Sequence, residues 1–224
     1  MDLKEFYQLL RIIYCIIVSI AFLVSLVSFR YGYAKHLKLF SILLGVTCIV
    51  EWLATQVVRR YFHWDSNSGL YNSFMLLEFM TYAWYYQYII KVKWIKKMGR
   101  IFMLFFPLFW LVTVVFIFGL NKWNSYVVVA GAVFSVCLSL GYFYQLLRDT
   151  TDIHLMTHPE FWIAAGMLML YLAQIPYFGM LNYVYSHYPV ATGYLSLTML
   201  VLNILMYLSF TYAFLCPKII PTKR

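Results

Sequence analysis

Charge is scarce in this chain. Lys, Arg, Asp and Glu make up 11% of its residues and acidic groups number only eight, against about a quarter charged in ordinary soluble domains. Polar linkers and low-complexity tracts are missing, and the stretches between apolar runs are short. Whatever this sequence does is therefore expected to happen inside a bilayer or through partners. Cysteine is sparse and unpatterned. Cys15, Cys48, Cys137 and Cys216 all fall within or at the edge of apolar runs, with no CxxC and no Cys/His spacing, which excludes a compact metal motif and leaves small packing residues. Cys216, at a membrane edge, is a weak acylation candidate. No HExxH or GxSxG motif occurs, so no catalytic residue is assigned and no cofactor is expected. His36, His63, His154, His158 and His187 fall between the apolar runs, where solvated or interfacial roles are expected. His154 and His158 are four apart beside a helix start, with Asp149, Asp152 or Glu160 as the nearest third ligand, and no metal is assigned. A small-residue cleavage site is missing after MDLKEFYQLLR, so the first apolar run is expected to be retained.

What the chain has in abundance is apolar surface. It is 64% hydrophobic with mean hydropathy +0.77, and aromatics reach 21%, including 21 Tyr. No soluble core absorbs that much; aromatic belts and tight helix packing do. Runs of about 20 apolar residues recur seven times, at roughly 9–29, 38–58, 70–90, 101–120, 125–147, 161–181 and 192–216. The expected fold is all-α, a single polytopic membrane bundle of seven transmembrane helices.

Lys and Arg set its direction. Five lie on one side (Lys4, Arg11, Arg59, Arg60, Lys122) and twelve on the other, which predicts an N-out, C-in chain, in the bacterial cytoplasmic (inner) membrane. The net charge of +9 reads as topology and contact with anionic lipid, with no nucleic-acid partner implied. The basic loop KVKWIKKMGR, with Lys91, Lys93, Lys96, Lys97 and Arg100, either fixes topology alone or also docks anionic lipid or a cytoplasmic protein partner. Thr157-His158-Pro159-Glu160 has the spacing of a capping box that would start the sixth span. Pro107 and Pro176 lie within spans and are expected to kink them.

One run raises a question of chemistry. LYNSFMLLEFMTYAWYYQYII, residues 70–90, has a single formal charge, Glu78, and an ionisable group in a span is expensive in lipid. On the expected topology Glu51, Glu78 and Gln174 each lie seven or eight residues from the outer end of their spans, or ~10–12 Å below that surface, with Asn203 somewhat deeper. Helical spacing gives each a polar face: Thr47, Glu51, Thr55 and Arg59 on the second helix; Tyr71, Glu78, Tyr82 and Tyr85 on the third; Met167, Tyr171, Gln174 and Tyr177 on the sixth; Ser196, Asn203, Tyr207 and Thr211 on the seventh. Gly131, Ser135 and Ser139 form a small-xxx-small seam on the fifth. Lipid would leave these stripes unsatisfied, so they are expected to face inward. The predicted site is a Tyr-lined pocket in the outer half of the bundle, taking an unknown small-molecule ligand, a proton or a cation. Its residues are Glu51, Glu78, Gln174, Asn203, Thr55, Tyr82 and Tyr171. Two carboxyls in such a pocket do not both stay ionised; one is protonated, or the two share a proton or cation.

The number of spans, their direction and the chain length make the plan similar to that of SWEET and PnuC-type carriers and of microbial rhodopsins, in topology only. No SWEET-like proline-glutamine motif occurs, and Tyr194 to Cys216 is free of lysine, which excludes a retinal Schiff base. FMLLEFM, PEFWIAAGMLMLY and LNILMYLSFTYAFLC resemble uncharacterised small bacterial seven-transmembrane proteins, which implies a fold but no activity. Glu51 and Gln174 are 123 residues apart, and Glu78 and Asn203 are 125 apart. This is a faint three-plus-one-plus-three pattern. Four functions stay open: a ligand-sensing or signal-relaying subunit, a small-solute transporter with or without proton coupling, an intramembrane lipid hydrolase with paired carboxyls, and a scaffold subunit. The first is the leading expectation.

Overall fold

The computed structural model describes residues 3–30, 33–54, 67–120, 122–148 and 155–216. Among these the chain is helical, with no strand. The helices are α1 (Leu3–Ser25), α2 (Val27–Arg30), α3 (Lys35–Trp52), α4 (Ser68–Ile89), α5 (Lys93–Val112), α6 (Ser125–Arg148), α7 (Pro159–His187) and α8 (Pro189–Leu215). A π-helical segment, Thr113–Phe118, continues α5 and ends at Gly119, whose φ of 73° lies in the left-handed region that glycine adopts without strain.

Five helical stretches are long and apolar enough to cross a membrane: Glu5–Arg30, Lys93–Phe118, Ser125–Arg148, Pro159–Leu181 and Val190–Leu215. They mark an integral membrane protein. The second and third of the seven predicted spans, α3 and α4, fall short of that measure. α3 carries Lys35, Lys38 and Glu51 in 18 residues, and its predicted end at 58 lies outside the described residues. α4 mixes Asn72, Glu78, Gln87 and five tyrosines into 22. These two polar helices are also the ones that carry the glutamates.

Packing explains how they are shielded. α1 lies against α3 and α8, α3 against α4, α4 against α6, α6 against α7, and α7 against α8. The six close a ring. α5 stands outside it, against α4 and α6, and is the least buried of the apolar helices. Its outer face exposes Leu104, Phe105, Leu108, Val115 and Phe116, as a lipid-facing helix does. The predicted small-residue seam of α6 turns towards α4. Phe79 lies so close to Gly131 that a Cβ there would meet its ring at 2.4–2.6 Å, and Ser139 Oγ pairs with Tyr86 Oη at 2.7 Å.

Several boundaries differ from expectation. The basic stretch 91–100 is not a loop: α5 begins at Lys93, because Gln145 of α6 holds the chain at Ile89 and Lys91 and lets the next helix start at once. Lys91, Lys93, Lys97 and Arg100 are exposed and Lys96 is half-buried. α7 runs past the predicted end at 181 to His187, and α8 starts at Pro189, so Tyr188 alone joins them. Both α5 and α7 continue helically through Pro107 and Pro176. The capping box does not form. His158 is the N-cap of α7, without a side-chain cap bond. Glu160 instead meets His36 of α3 at 3.0 Å, a partner 124 residues away that no local pattern reveals.

Candidate functional site

A partly open cavity of about 280 Å³ lies within the ring. Helical periodicity builds its walls. α1 contributes Tyr7, Arg11 and Tyr14; α4 contributes Tyr71, Phe74, Met75, Glu78 and Phe79; α8 contributes Leu200, Asn203 and Tyr207. In each case residues three or four apart fall on one helix face. Glu51 comes from the last turn of α3, Gln174 and Tyr171 from α7, and Trp123 from the α5–α6 connection.

Glu51 is clasped from two sides. Tyr14 Oη donates to its Oε1 and Tyr71 Oη to its Oε2, each at 3.0 Å, so one carboxyl ties α1, α3 and α4 together. Arg11 lines the same cavity within electrostatic reach of Glu51 and Tyr71. Glu78 is held differently. Tyr82 Oη and Tyr171 Oη both donate to its Oε1, at 2.9 and 3.4 Å, while Oε2 has no hydrogen-bond partner among the described residues. Tyr207 stands within electrostatic reach of both carboxyls. Its ring meets that of Tyr14 edge-on, with centroids 5.7 Å apart.

The amides are less committed. Asn203 Nδ2 donates to its own helix at Met199 O, 2.9 Å, and its Oδ1 has no partner among the described residues. Gln174 has no hydrogen-bond partner among them either, though it lines the cavity. Trp123 stacks on Phe178 with centroids 5.6 Å apart, and its Nε1–H is buried without an acceptor among the described residues.

Of the seven residues expected from sequence, Glu51, Glu78, Gln174, Asn203 and Tyr171 therefore meet at one cavity. Tyr82 does not line it; it is buried and reaches the site only through Glu78. Thr55 lies outside the described residues, as do Arg59, His63, Asp149, Asp152 and His154. Tyr177 and Ser196 hydrogen-bond each other at 3.0 Å instead of joining the cavity. The contribution of α1 was not expected from sequence. Tyr7, Arg11 and Tyr14 recur at helical spacing, and that stripe is the available signal, but in the sequence Arg11 reads as a topogenic charge. Trp123 had no periodic signal, because a connection places it.

Beyond Glu78 along α4 the chain enters a buried aromatic cluster. Phe40, Tyr82, Tyr85, Tyr86, Phe210 and Phe214 are 0–2% exposed. Phe40 alone touches the rings of Tyr82, Tyr85, Phe210 and Phe214 with centroids 5.0–6.5 Å apart. Cys216, just past α8, is fully buried and its thiol donates to Met156 O. That burial leaves no room for an acyl chain, so acylation there is opposed sterically.

No protein-family model, curated protein or solved structure matches the chain. The chemistry of the site rests on its own residues.

Proposed function

We infer that this chain is a seven-helix, N-out subunit of a bacterial cytoplasmic membrane that binds a small molecule in its outer half and relays occupancy inward. One observation carries this: uncommitted polar groups line the cavity, while Tyr82, Tyr85 and Tyr86, further along α4 beyond Glu78, are packed and buried. A polar pocket backed by packed rings supports recognition over passage.

The route inward is α4. It begins near the cavity, carries Glu78, and ends at Ile89, four residues before Lys93 at the basic start of α5. Gln145 fixes that end through Ile89 and Lys91. A ligand that draws on Glu78 shifts the helix that leads to Lys91, Lys93, Lys97 and Arg100. These exposed cations are the surface for anionic lipid or a cytoplasmic partner. The relay works only if the ligand binds two arrangements of the bundle unequally.

The test is sidedness. A Gln174→Cys chain treated with a membrane-impermeant maleimide is expected to react in intact cells and not in inverted vesicles, measured against the parent chain. Equal reaction from the cytoplasmic face, or none from either, overturns the assignment. A carrier is the second reading, supported by the carboxyls inside the bundle. Counterflow in proteoliposomes separates the two, since a receptor gives binding without flux.

A further inference from the structure

We propose that the cavity takes a small primary ammonium ion, a refinement that rests on the receptor assignment above. The first reason is charge. Among the described residues three formally charged side chains line the cavity: Arg11, Glu51 and Glu78. Arg11 offsets Glu51, which two tyrosyl hydroxyls also clasp. Glu78 has no cation beside it among the described residues; its neighbours are the hydroxyls of Tyr82 and Tyr171, both on the same oxygen. The described lining is thus one positive charge short, and a cationic guest supplies it.

The second reason is the hydrogen-bond inventory. Glu78, Gln174 and Asn203 line the cavity, and Glu78 Oε2, Gln174 Oε1 and Asn203 Oδ1 accept nothing from the described residues. Three free acceptors match the three N–H donors of a primary ammonium. A quaternary ammonium has no donor and would leave all three unmet, a loss that polar sites punish more than missing apolar contact.

The third is the wall. Phe74, Phe79, Trp123, Tyr171, Phe178 and Tyr207 surround these acceptors. Aromatic faces attract a cation and pack its carbon skeleton. A volume of about 280 Å³ limits the guest to metabolite size. The competing way to neutralise Glu78 is a proton, which needs neither the free amides nor the rings.

Isothermal titration on the full chain in lipid nanodiscs decides the matter. The probes are 2-phenylethylamine, its alcohol counterpart 2-phenylethanol, trimethyl(2-phenylethyl)ammonium and phenylacetate. The primary amine is expected to bind roughly tenfold or more tighter than each of the others. Glu78→Gln keeps the side-chain shape and is expected to erase that preference, whereas Glu78→Asp, which keeps the charge, retains part of it. Equal binding of amine and alcohol overturns the proposal, as does a preference that survives Glu78→Gln, or binding of no probe. The amine is also expected to protect Leu200→Cys, a change in the cavity lining that leaves the three acceptors in place, from the impermeant maleimide. If that cysteine reacts from outside and the amine gives no protection, the ammonium assignment falls and the outward-facing receptor stands. If it does not react from outside, the receptor assignment falls as well.

Discussion

The two halves of this bundle use the same side chain in opposite ways. In the half around Phe40, tyrosines are packing material: Tyr85 and Tyr86 are fully buried, their rings 5.4 Å apart between centroids, and Tyr86 closes its hydroxyl onto Ser139. In the cavity half, Tyr14, Tyr71 and Tyr171 turn their hydroxyls on carboxyls and leave space between their rings. Aromatic richness is thus not one property. Where helices meet ring against ring, it makes a solid; where acids interrupt the pattern, it makes a lined hollow. The solid half is expected to carry the stability, and under the proposed function the hollow half carries the recognition.

Substitutions in each half sharpen or break that contrast. The largest loss is expected from Phe40→Ala, which empties the centre of the solid half. Truncating a fully buried aromatic costs about 3–5 kcal/mol, read as a lower midpoint in thermal unfolding of the detergent-solubilised protein. A change under about 1 kcal/mol would mean that this half does not hold the bundle together.

Asn72→Ala comes next. The Asn72 side chain donates to Leu120 O and Lys122 O and accepts from the Asn124 N–H, and it is 1% exposed. It buckles the start of α4 to the α5–α6 connection that positions Trp123. Removing it takes a partner from two carbonyls and from the buried Asn124 N–H, a loss of roughly 1–3 kcal/mol, and is expected to disorder the Trp123 wall. Tryptophan emission shifted to the red would report that; an unshifted spectrum would show that Trp123 holds its place without the buckle.

The smallest effect is expected from Asn203→Ala. Its amide nitrogen serves only its own helix, so stability should change by no more than about 0.5 kcal/mol. A drop comparable to that of Phe40→Ala would show the cavity half to be as structural as the other.

Much of this was legible in the sequence, and for a physical reason. Apolar runs report helices directly, because only a closed hydrogen-bond ladder survives without water. The polar stripes through Glu51, Glu78, Gln174 and Asn203 converge because each must avoid the same apolar surroundings. What stayed hidden depends on contacts far apart in sequence. Glu160 has the spacing of a cap and the role of an ion-pair partner, since His36 arrives from another helix. Arg11 looks like a topology signal until Glu51 is brought beside it. Lys93 to Arg100 looks like a loop by charge, yet it is helical, because charge sets solvation and the anchored Ile89–Lys91 backbone sets where the helix restarts. Trp123 is invisible to any periodic argument, being placed by the Asn72 buckle.

The single-residue joint at Tyr188 has a mechanical consequence. With no slack between α7 and α8, neither can slide along its axis without dragging the other. The pair behaves as one stiff paddle bearing Gln174 on one blade and Asn203 on the next. A guest gripping both amides would therefore tilt that paddle as a unit, with the yielding seams being those to α6 and α1.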